Sequence, residues 1–87
     1  METIKPIHNI TIRRTHDVLG YYATHAEELT SVGADAFGRQ TADFEPHLAE
    51  RFKKASLLQV VRHKRDVIGY ALYNVLQGHH WRQTAVR

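Results

Sequence analysis

Residues Leu57 to Tyr73 constrain the fold more than any other stretch. They read Leu-Leu-Gln-Val-Val-Arg, then His-Lys-Arg-Asp, then Val-Ile-Gly-Tyr-Ala-Leu-Tyr. Two apolar runs rich in β-branched residues flank a short charged turn, which is a hairpin signal. The spacing predicts strands over Leu57–Arg62 and Val67–Leu76, with Gly78 ending the second. Period-two alternation puts Ile68, Tyr70 and Leu72 on one face.

The rest of the chain supplies helices for that face to pack on. Ile10–Arg13 alternates and predicts a first strand after a loose lead-in over residues 1–8, where Pro6 bars regular helix. Thr15 and Asp17 suit a helix N-terminus. Val18, Tyr22, Ala26 and Leu29 then form one apolar stripe to about Ser31, with Tyr21 expected outside it. Gly33 and Gly38 bracket Ala34–Phe37, read as a helix end and an irregular loop. A second helix is expected from the stretch Asp43–Pro46 to Lys54, because proline is tolerated in a first turn. Its core face is Phe44, Leu48 and Phe52. Trp81–Val86 begins a further strand. The class is α+β: a single small domain, residues 1–87, with an antiparallel sheet of three to four strands and two helices.

At 87 residues, such a domain buries roughly 60–65% of its unfolded surface, so its core is marginal. The chain has no cysteine, which removes disulfides, thiolate nucleophiles and Cys-ligated zinc. No apolar run approaches the ~18 residues of a membrane span, and the N-terminus is not patterned as a signal peptide. The expected compartment is cytoplasmic. Charge is unevenly placed. Residues 1–50 carry four basic residues against eight carboxylates, and residues 51–87 carry eight basic residues against Asp66 alone. The two halves neutralise each other within one fold, although a basic half can also track an acidic partner.

Candidate chemistry is sparse. Of seven histidines, His79 and His80 are adjacent, and neighbours on a strand point to opposite faces, so no metal site is expected. Neither serine lies in a Gly-x-Ser-x-Gly turn. Glu27 and Glu28 diverge by about 100° around their helix, which suits a solvated face better than an acid/base pair. The five glycines form no phosphate loop. Arg62, Lys64 and Arg65 at the hairpin tip, with Lys53 and Lys54 before it, act first as edge protection. A basic nucleic-acid-binding module is the less favoured reading, because Tyr70 and Tyr73 point to opposite faces.

The hairpin with Ile68-Gly69-Tyr70 resembles the second and third strands of GNAT-type N-acetyltransferases. The whole chain can be laid on the N-terminal half of that domain, most closely the small phage-type enzymes, with Gly-His-His-Trp-Arg-Gln-Thr-Ala as the turn into the fourth strand. The resemblance implies a partial GNAT-like fold whose two helices border an acceptor cleft, with Tyr21, Glu28 and Phe37 as cleft candidates. It also implies acetyl-CoA as cofactor, held by an Arg/Gln-x-x-Gly-x-Gly/Ala loop and the helix after it. Residues 1–87 contain no such loop, so no cofactor is expected unless the other half is supplied, and no catalytic residue is assigned. The expected function is a catalytically incomplete, phage-encoded protein that binds a host protein and inhibits or redirects it. The alternative is the acceptor-binding half of an acetyltransferase. A homodimer or host-protein interface is expected at Val75, Leu76, His79, His80, Trp81 and Arg82, with Trp81 as its anchor.

Overall fold

The computed structural model describes residues 7–75 and 80–87. Its elements are β1 (Ile7–Ile12), α1 (Thr15–Phe37), α2 (Thr41–Lys54), β2 (Leu57–His63), β3 (Asp66–Asn74) and β4 (Trp81–Val86). The four strands form one sheet in the order β1-β2-β3-β4, each pair antiparallel. This is the α+β architecture expected from the hairpin and the two helical stripes. β1 starts at Ile7, so the strand takes in residues expected in the lead-in.

Both helices lie on one face of the sheet. Leu58 and Val60 of β2, Tyr70 and Leu72 of β3, and Ala85 of β4 are buried there against Leu29, Leu48 and Phe52. Register carries the same face across the strands: Ile10 opposes Val60, Val60 opposes Tyr70, and Tyr70 opposes Ala85. Tyr22 is half-buried and stacks on Phe52 at 4.4 Å. The opposite face stays open, with Gln59, Arg82, Thr84 and Val86 exposed.

Three local departures from expectation have physical causes. First, α1 does not stop near Ser31. It runs to Phe37 and ends at Gly38, whose φ of 66° is the left-handed cap glycine favours. Gly33 lies inside the helix, where a Cβ would stand 2.3 Å from the Phe44 ring and 2.6 Å from the Tyr70 hydroxyl. That glycine permits close packing and does not end the helix. Second, β3 carries a bulge. Val61 opposes Gly69 while Arg62 opposes Val67, which leaves Ile68 as the extra residue. The alternation therefore resets, and Val67, at 2% exposure, takes the buried place expected for Ile68. Third, β3 ends at Asn74, short of Leu76. Leu76, Gly78 and His79 lie outside the described residues. Smaller shifts are of length only: β2 extends to His63, and α2 begins at Thr41.

α1 also bends. His25 has φ −121° and ψ 28°, outside the helical region. Just before it, the Thr24 hydroxyl donates to the Gly20 carbonyl at 3.1 Å, a back-bond of the kind that bends helices.

Candidate functional site

The cleft candidates separate along α1. Tyr21 and Glu28 flank the bend, while Phe37 is the last residue of the helix, about 24 Å of helical rise beyond Tyr21. Phe37 is helical, where a loop was expected.

Around the bend, four side chains form a closed polar cluster. The Arg62 guanidinium donates to the Tyr21 hydroxyl at 3.0 Å and to the Arg65 carbonyl at 2.5 Å. It also lies 3.7 Å from Glu28, whose other oxygen is 3.2 Å from His25 Nδ1. The Tyr21 and His25 rings are 4.2 Å apart. Tyr21, expected at the surface, is half-buried through these contacts. Glu28 is likewise partnered, whereas Glu27 is exposed. Each polar group is engaged within the molecule, so the cluster fastens the bend of α1 to the tip of the β2–β3 hairpin. Arg62→Met is expected to lower stability by about 1–2 kcal/mol, because the Tyr21 hydroxyl loses a charge-assisted donor and Glu28 an ion-pair partner at a partly solvated site. Chemical denaturation of the two proteins checks this; equal midpoints would remove the fastening role.

A different set meets beside β4. A groove of about 550 Å³ is lined by Phe37, Arg39, His47, Arg51, Trp81 and Arg82, among others. α1 supplies Phe37 with its last residue, and Arg39 follows the αL cap. α2 supplies His47 and Arg51 one helical turn apart. The Arg51 guanidinium lies over the Trp81 ring, 4.8 Å from its centroid. Among the described residues, no carboxylate lines the groove and none of its three arginines is in an ion pair. The floor is joined to the core by Gln83, whose Nε2 donates to the Tyr70 hydroxyl at 3.3 Å.

The sequence-expected interface residues thus fall in three places. Trp81 and Arg82 line the groove. Val75 and His80 are exposed before β4. Leu76 and His79 lie outside the described residues. Trp81 is half-buried, packing on the core while keeping one side toward the groove. Arg39, His47 and Arg51 were missed, since they are dispersed over two elements. The basic last turn of α2, with Arg51, Lys53 and Lys54, was the available signal.

A second hollow of similar volume lies between α1 and α2, with Glu27 and Glu45 on its rim and Thr30 in its wall. It has the opposite charge, contains none of the expected site residues and has no strand edge. Among the described residues, no group of three or more His, Asp or Glu is placed to hold a metal ion, and no helix is long and apolar enough to cross a membrane.

Burial pushes the Tyr70 phenol up from 10 to about 12, with the Gln83 hydrogen bond acting the other way. The folded state therefore holds this proton more tightly than the unfolded chain does. The corresponding stability is complete below pH 10 and is lost as pH rises from 10 through about 12. Tyr70→Phe should show a shallower alkaline loss of stability over that window, read by denaturation at pH 9 and pH 11. An unchanged slope would mean that Tyr70 ionises as freely in the fold as outside it.

Compared with known proteins, the sequence matches no family model, no curated protein and no solved structure.

Proposed function

We propose that residues 1–87 form a GNAT-like binding module, cytoplasmic in setting, that docks a partner protein along the β4 edge and thereby blocks or redirects it. One observation carries the reading: β4 is an edge strand that, among the described residues, has no neighbour on its outer side, and it runs along a groove holding a half-buried tryptophan and three arginines that, among those residues, are in no ion pair. Edge strands expose unpaired N–H and C=O groups, which another chain can satisfy by adding a strand. Arg51 stacked on Trp81 supplies a preformed aromatic and cationic anchor beside that edge. The element order also supports the GNAT-like part of the reading, since strand–helix–helix–strand–strand–strand is what the resemblance implies for the N-terminal half of that domain. In a phage setting, the partner would be a host protein.

The partner is a different protein rather than a second copy. Pairing β4 with β4 of another copy would bring together two grooves that each hold three arginines and, among the described residues, no carboxylate, and like charges brought close are destabilising. Sedimentation of the parent at micromolar concentration should accordingly show a monomer. A dimer dissociated by Trp81→Ala would instead make the edge a self-association surface.

A second reading uses the same edge. If these residues are the acceptor-binding half of an acetyltransferase, the free edge of β4 is where the remaining sheet would pair. Calorimetric titration with acetyl-CoA separates the two. The binding-module reading expects no micromolar binding and no thiol release with amine acceptors. Micromolar binding or turnover by these 87 residues would favour the enzyme.

A further inference from the structure

We infer that the segment accepted by β4 is an extended acidic peptide, with carboxylates on both faces of the added strand. The inference rests on the reading that the β4 edge is a docking surface. Side chains alternate along a strand, so the two sides of that edge present different chemistry. Trp81, Gln83 and Ala85 turn toward the helices, as shown by Arg51 over Trp81, the Gln83–Tyr70 hydrogen bond and the burial of Ala85. Arg82, Thr84 and Val86 turn to the open face and are exposed.

A strand added outside β4 continues this alternation. Its helix-side residues face the groove, with Arg51, His47 and Arg39 as charge or hydrogen-bond partners and Phe37, 48% exposed, as an apolar contact. Its open-side residues lie beside Arg82. The centre of the Arg51 guanidinium lies over the Trp81 ring, and among the described residues Arg51 is in no ion pair, so its N–H donors can meet a carboxylate brought by the peptide. Since no carboxylate among the described residues lines the groove, a bound peptide would bring the counter-charge. Acidic residues on only one side would leave either Arg82, at the open-face rim of the groove, or Arg39 and Arg51, on its helix side, uncompensated. β4 is six residues long, so a segment of comparable length spans it. Nucleic acid could match the charge but not the strand pairing, because it offers no peptide ladder to the edge.

Trp81 is the only tryptophan, so its fluorescence reports occupancy directly. The probe is a capped nonapeptide of three Glu-Glu-Val repeats, which places acids on both faces of a strand. It should bind, and the Gln-Gln-Val counterpart should bind at least about tenfold more weakly through loss of the charge-assisted contacts. Arg82→Gln, at an exposed site, should lose about tenfold toward the acidic peptide and little toward the Gln peptide. Equal binding of the acidic and Gln peptides would overturn the acidic preference and leave edge docking standing. Acidic peptide N-methylated at alternate residues should fail to bind; binding unchanged by methylation would overturn strand addition while leaving the charge preference. No response to any peptide would overturn both, and tighter binding of a single-stranded DNA oligonucleotide would replace the peptide with nucleic acid.

Discussion

Leu72→Ala is expected to lower stability by about 2–5 kcal/mol, the range for truncating a fully buried leucine. Leu72 is completely buried at the centre of the sheet, opposite Leu58 on one side and Gln83 on the other. The change removes packed methyl groups and leaves a cavity that the flanking strands, pinned by their ladders, cannot fully close. In a domain of 87 residues, that loss is a large share of a total stability of about 5–15 kcal/mol. Urea denaturation followed by circular dichroism should show a variant with a much lower midpoint or one already largely unfolded. A melting temperature within a degree or two of the parent would contradict the core described above.

Gly33→Ala should also be strongly destabilising, against its helix propensity. In an exposed helix, the exchange would gain about 1 kcal/mol. Here the added methyl meets the Phe44 ring at 2.3 Å and the Tyr70 hydroxyl at 2.6 Å, and both residues are buried. Neither can swing into solvent, so α1 must move away from α2 and β3, with an overpacking cost of about 1–3 kcal/mol or more. The matched control is Gly20→Ala, where a Cβ would meet nothing within 4 Å and the propensity gain should appear. The two variants should therefore shift the thermal midpoint in opposite directions. A stabilised Gly33→Ala would mean that the helix–helix contact is looser than the structure gives.

The hairpin was legible because its two runs alternate and its turn is charged, and the helix stripes followed from three- and four-residue spacing. The bulge was not legible: Val67 and Ile68 are adjacent and equally apolar, so pattern alone cannot choose which turns inward. A tertiary contact bears on it: a Cβ on Gly69 would lie 3.1 Å from the Ala85 carbonyl, so only glycine lets β4 approach freely there. Gly33 misled for the related reason that glycine signals both chain breaks and close approaches. In the groove, Trp81 and Arg82 were visible as an apolar anchor beside a charge near the end of a sheet. Arg39, His47 and Arg51 join them only through the packing of the α1 C-terminus and α2 near β4, which no local spacing records.

The β4 edge as a docking surface is tested most directly by amide hydrogen exchange, read residue by residue with the Glu-Glu-Val peptide at saturation. The sheet has two edges, so β1 serves as an internal control. Protection should rise at alternate amides between Trp81 and Val86, those facing away from β3, and stay unchanged along Ile7–Ile12. Unchanged exchange throughout β4 with the peptide bound, or protection gained at β1 instead, would contradict the account.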